Sequence, residues 1–153
     1  MVEKILILIF ANLIPTSEQI GAIPLGLALG LSPEVTFFVS ISVNSLLFFP
    51  LFFCLNFFYE KFFSRIKPFN DYLKKLRKRG EPYVKKYGVI GVTMFIAIPS
   101  PLTGTYTGTM LSWLLDLNWK KSFLAIFLGS LIGGAIILLS SLGILNIIKF
   151  IIK

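Results

Sequence analysis

The chain has 153 residues, 56% of them hydrophobic and only 14% charged, with a formal charge of +8. An ordinary soluble domain carries about a quarter charged residues, and the apolar residues here fall in long blocks, so one small membrane domain with a few spans is expected. With no His and a single Cys, imidazole metal sites, His-based triads and internal disulfides are excluded; no cofactor, metal or enzymatic activity is expected.

The first apolar block, Ile5 to Ile14, has no strong basic start, because Glu3 precedes Lys4, and no Ala-x-Ala site follows it. It is expected to stay in the mature protein. At about ten residues it makes roughly 15 Å of helix, half a hydrocarbon core. It ends in a polar break, Ile14-Pro15-Thr16-Ser17-Glu18-Gln19-Ile20-Gly21. A carboxylate between apolar blocks is costly unless it has a task or a partner. Two readings of Glu18 stand side by side. It either caps the helix that starts there or exchanges a proton with a solute, desolvation opposing its charge and a helix end favouring it.

The next block, Gln19 to Leu31, is also short and is interrupted by Gly21, Pro24, Gly26 and Gly30. Ser32 and Pro33 then read as N-cap and first residue of a spanning helix that runs to Phe58. Pro50 should kink it, and Asn44 is a secondary site candidate, more usually an interhelical hydrogen-bonding residue. Cys54, in an apolar setting, reads as an inert packed thiol.

Between Glu60 and Lys86 lie ten Lys/Arg against three acids, a net +7. Such a cluster between apolar blocks marks a cytoplasmic loop, with attraction to anionic head groups as a side effect and nucleic acid disfavoured as a partner. Within it, Pro68 to Gly80 predicts a short interfacial helix, started by Asn70 or Asp71 and stopped by Gly80.

The second half repeats the order of the first. Val89 to Ile98 and Thr107 to Leu117 are short apolar blocks around a second break, Ile98-Pro99-Ser100-Pro101-Leu102-Thr103-Gly104-Thr105. A long block then opens at Asn118 and runs to Ile148, with a Gly129-x-x-x-Gly133 spacing that fits a close contact within the chain or a homodimer face. Ile14-Pro15 matches Ile98-Pro99, and Gly30 to Phe37 lies over Asp116 to Phe123.

The predicted fold is therefore all-α and membrane-embedded. Residues 1–59 and 88–153 form inverted repeats, each a re-entrant helical hairpin plus one transmembrane helix, joined by a basic cytoplasmic loop at residues 60–87. The two tips should meet near the bilayer midplane and offer positive helix ends to an anionic group. Expected site residues are Glu18, Pro15, Pro24, Pro99, Pro101, Thr103, Gly104 and Thr105, with Ser100 and Asn44 secondary. Expected partners are membrane lipids, a small-molecule or lipid substrate, protons and further copies of the chain.

The two motifs, Glu18-Gln19-Ile20-Gly21-Ala22-Ile23-Pro24-Leu25-Gly26 and Ile98-Pro99-Ser100-Pro101-Leu102-Thr103-Gly104, resemble the small multidrug export protein family of archaea and bacteria over nearly the whole chain. More distantly the arrangement is similar to the DedA/VTT membrane proteins, with their paired re-entrant loops and links to moving lipids, including polyprenyl phosphates. DedA proteins typically carry an Arg in the second hairpin region, whereas residues 88–119 here hold no Lys, Arg or His. The charged break and the mirrored halves lead to a small, proton-linked membrane transporter or exporter with a midplane site between the tips, and the resemblance also implies an exporter. A DedA-like lipid or polyprenyl-phosphate translocase and a non-transporting membrane module are the alternatives.

Overall fold

A computed structural model describes residues 1–100 and 103–152, with side chains as far as residue 144. The described residues form α1 (Val2–Leu13), α2 (Glu18–Ala28), α3 (Pro33–Phe58), α4 (Lys67–Tyr87), α5 (Val89–Ala97), α6 (Thr105–Leu114) and α7 (Trp119–Ile152), with a 3-10 turn at Phe63–Arg65. Two short helices and a long one thus occur twice, on either side of the basic helix α4. Pro101, a site candidate from the sequence, lies outside the described residues.

Local chemistry repeats along with the order. A proline forces the residue before it out of helical geometry. Ile14 accordingly ends α1 at φ −78°, ψ 120°, and Ile98 ends α5 at φ −77°, ψ 113°. The second short helix of each half closes on a left-handed residue, Gly30 at φ +77° and Asp116 at φ +51°. The Leu31 N–H then reaches back to the Gly26 carbonyl and the Leu117 N–H to that of Ser112, each at 3.0 Å. Such closures satisfy carbonyls that a helix end leaves bare. The long helices open on matching caps. Ser32 Oγ accepts from the Val35 N–H at 3.3 Å, and Asn118 Oδ1 accepts from the Lys120 N–H at 3.0 Å.

Packing follows the same two-part plan. α1 lies on α2 and α3, and α5 lies on α6 and α7. The long helices α3 and α7 pack together, and each also takes the second short helix of the other half, α6 on α3 and α2 on α7. The larger core cluster includes Phe48, Val92, Leu111 and Ile126, and a smaller one gathers Leu8, Ala22 and Leu31.

The surface is more apolar than that of a water-soluble bundle, and the interior holds polar side chains beside its apolar clusters. Leu124, Leu128, Ile132, Ile136 and Leu139 form an exposed apolar stripe along α7, and Phe38, Leu46 and Phe57 point outward from α3. Asn12, Thr36, Ser40, Asn44, Ser112 and Ser130 are buried instead. Asn12 Nδ2 donates to the Leu8 carbonyl at 2.8 Å and to Ser40 Oγ at 3.2 Å, tying α1 to α3. Both α3 and the first 26 residues of α7 are long and apolar enough to cross a membrane. An apolar outer face with the polar side chains held inside is how a chain satisfies itself in lipid, where polar groups find no water.

Two sequence expectations are corrected. α4 does not stop at Gly80; it continues through Gly80 and Pro82 to Tyr87, and neither Asn70 nor Asp71 caps its start. Gly80 is buried against Leu111 of α6, so the residue read as a stop signal is a close-packing position. Leu73, Leu76, Gly80 and Val84 form the buried face of α4, one turn or so apart. The Gly129/Gly133 face meets Ile96 and Ala97 of α5, which settles the open choice in favour of a contact within the chain.

Candidate functional site

The two polar breaks come together in space, and Glu18 joins them. Its Oε2 accepts from the Thr105 N–H at 2.6 Å and its Oε1 from the Tyr106 N–H at 3.5 Å. Those amides open α6, where the first turn has no carbonyl partners of its own. The carboxylate therefore caps a helix, but not the one expected. α2 has Ser17 at its N-cap position with no side-chain cap bond, so the local reading of Glu18 is corrected to a cap on the opposite half.

Three features hold the carboxylate there. Gly104 has no side chain, and a Cβ built on it would fall on the carboxylate oxygens. Tyr106 Oη donates to the Leu13 carbonyl at 2.6 Å, so the first turn of α6 also binds the exposed end of α1. Glu18 itself sits at φ +37°, a left-handed geometry that costs a non-glycine residue about 1–3 kcal/mol and survives only where its surroundings enforce it.

The hydroxyls of the second break divide by task. Thr103 Oγ1 donates to the Ile98 and Ser100 carbonyls, and its N–H donates to the Ser100 carbonyl at 3.0 Å. Thr107 Oγ1 accepts from the Gly104 N–H at 2.8 Å, and Thr109 Oγ1 donates to the Thr105 carbonyl at 2.6 Å. The Thr103 and Thr107 bonds satisfy backbone groups left open by the break, whereas the Thr109 hydroxyl bonds back to a carbonyl one turn earlier in α6. Thr105 Oγ1 is buried without such a partner.

A cavity of about 30 Å³ lies between the breaks, lined by Pro15, Glu18, Pro99, Ser100, Thr103, Gly104 and Thr105. It has room for about two waters. Pro24 and Asn44 do not line it; Pro24 is exposed well along α2, and Asn44 is buried within α3. Two lining residues escaped the sequence reading. Gln19 and Ser130 are buried with Nε2 and Oγ unpartnered, and both border this cavity. Ser130 is a lone polar residue in an apolar stretch and Gln19 is the last polar residue of the first break, and those positions are the signals that could have singled them out.

A second, larger cavity of about 530 Å³ adjoins the other side of Pro15 and Thr16. Leu51, Cys54, Phe63, Phe69, Tyr72, Tyr106 and Met110 give it mainly apolar walls. Cys54 is exposed on this cavity, so its reading as a packed thiol is also corrected.

Fold and site together define a small all-helical membrane protein with two polar breaks brought against each other inside an apolar bundle. The chain belongs to the family described as "Putative small multi-drug export protein", whose model matches residues 18–136. The match begins at Glu18 and takes in Gln19, Gly104, Thr105 and Ser130. Neither the curated proteins nor the solved structures hold a significant match to the chain.

Proposed function

We propose that the chain is a small proton-linked membrane transporter whose solute site lies near the bilayer midplane between two re-entrant tips. The observation that carries this reading is the Glu18 carboxylate on the first turn of α6, which ties the two breaks into one site. Helices of twelve and nine residues before the breaks are too short to cross a bilayer. The matched caps, closures and reciprocal packing of the two halves support an inverted repeat with α4 on the cytoplasmic side.

In this mechanism Glu18 alternates between capping α6 as a carboxylate and releasing it as a neutral acid. Release frees two N–H groups and lets the tips move relative to each other, so proton binding and solute access are coupled. Pro15, Pro99, Thr103, Gly104 and Thr105 shape the site, and homo-oligomerisation completes an enclosed path that so few helices do not form alone. No catalytic step is part of the reading.

Proteoliposomes enclosing a pH-sensitive dye provide the test, with ethidium and benzoate as probe solutes under an imposed pH gradient. Wild type should couple the flux of at least one probe to proton movement, and Glu18→Gln should lower that flux at least tenfold. Equal flux and equal pH response in the two proteins would remove Glu18 from the mechanism.

One observation favours a second reading, a DedA-like lipid or polyprenyl-phosphate translocase. The 530 Å³ apolar cavity beside the tips suits an acyl or prenyl chain. Movement of fluorescent phospholipid between leaflets, measured in the same vesicles, separates the two.

A further inference from the structure

We infer that the start of α6 is an oxyanion-binding site and that the Glu18 carboxylate is its built-in occupant, which an external carboxylate or phosphate group displaces. The inference deepens the transporter reading and rests on it for the role of the site in a cycle, though the binding itself does not require transport.

The groups around the carboxylate are suited to an anion. The Thr105 and Tyr106 N–H groups already point at oxygen atoms. Gln19 Nε2 is an amide donor on a residue only 8% exposed, and it has no partner. Ser130 and Thr105, each 1% exposed, add two hydroxyls without partners, all three residues lining the same cavity. A buried donor without an acceptor is costly, so a cluster of them beside a helix start marks a place prepared for more acceptor oxygens than Glu18 supplies.

Charge decides between joining and displacing. Among the described residues no Lys or Arg lines the cavity, so none of them neutralises two negative groups at once. A second anion beside the carboxylate would meet repulsion with little water to screen it. The external group must therefore take the place of the Glu18 carboxylate on the two amides. The ligand class is an oxyanion of carboxylate or phosphate chemistry, either free or as a lipid head group.

The test uses the full chain in phosphatidylcholine nanodiscs, wild type and Glu18→Ala, with thermal unfolding followed at increasing formate or inorganic phosphate. Removing the side chain opens the space its carboxylate filled. Glu18→Ala should unfold earlier in chloride and recover with formate or phosphate, at an apparent affinity at least tenfold tighter than wild type shows. Gln19→Leu in that background should weaken the recovery severalfold. Nanodiscs doped with phosphatidic acid distinguish the source: recovery by the lipid alone assigns a head group, and recovery by the soluble probes assigns a free anion. Should Glu18→Ala fail to fold in chloride, recovery of folded protein by formate during purification is the same readout.

The inference is overturned if none of the three probes stabilises Glu18→Ala beyond equal chloride. Formate recovery of Glu18→Ala, together with a wild-type protein that moves no solute, would overturn the transporter reading alone. Coupled transport without recovery would overturn only the displaced-anion site.

Discussion

Glu18 and Thr105, 87 residues apart, are joined by a 2.6 Å hydrogen bond from the Thr105 N–H to the Glu18 carboxylate. The bond spans the two halves of the chain, and it places the acid of one break on the helix that leaves the other. A charge-assisted bond of this kind is stronger than a neutral one, and in a site with little water solvent competes for it poorly. Its consequences can be tested residue by residue.

Gly104→Ala should act like loss of the Glu18 cap, because the added methyl occupies the carboxylate's position. Each single change is expected to cost about 1–2 kcal/mol, the usual range for a lost cap. In a double-mutant cycle the Gly104→Ala and Glu18→Ala costs should fall well short of adding, since both remove one interaction. Thermal unfolding in nanodiscs measures all four proteins, and full additivity would separate the two residues.

Gly129→Val should destabilise the fold by about 1–3 kcal/mol, through overpacking against Ile96 and the Thr93 carbonyl of α5. Oligomeric state, read by sedimentation in detergent, should not change at temperatures where the variant is folded. An altered oligomer with unaltered stability would move this face from the inside of the chain to its surface.

Cys54 should react in the folded protein with a lipophilic maleimide, because it borders the large apolar cavity. Charged maleimides should react far more slowly. Mass spectrometry of the intact chain reads both rates. Reaction only after unfolding would mean that the cavity is closed.

Acid should weaken the last turns of α4 through Glu81. Its carboxyl is held below the ordinary value, first by a hydrogen bond from Lys85 and then by the charges of Lys85 and Arg77. The Lys85 Nζ and Arg77 Nε atoms lie 2.9 and 3.4 Å from its oxygens. A depressed pKa means that the ion pairs contribute fully above the unfolded-chain value near 4.3 and fade as pH falls through the lower folded value. Hydrogen exchange of α4 between pH 6 and about 3 should accelerate in wild type beyond the intrinsic trend, and Glu81→Gln should show no such step.

What the sequence disclosed was set by local chemistry. Pro15 and Pro99 constrain the residues before them wherever they occur, so both breaks were readable, and Ser32 and Asn118 cap as their side chains dictate. Length and hydropathy likewise marked α3 and α7 as the helices long and apolar enough to cross a membrane. The readings that failed are those settled by a distant neighbour. Gly80 is a helix stop by propensity and a packing position because Leu111 rests on it. Glu18 looks like the cap of its own helix until α6 arrives beside it. Gln19 and Ser130 mean little alone and matter because two halves of the chain bring them to one cavity.

The most direct measurement is the amide proton resonance of Thr105 in chain labelled with ¹⁵N-threonine. Capped by a carboxylate, it should lie well downfield, and in Glu18→Ala it should move upfield while those of Thr36 and Thr93, away from the site, stay in place. A Thr105 resonance that ignores the loss of Glu18 would contradict the union of the two breaks and, with it, the shared site.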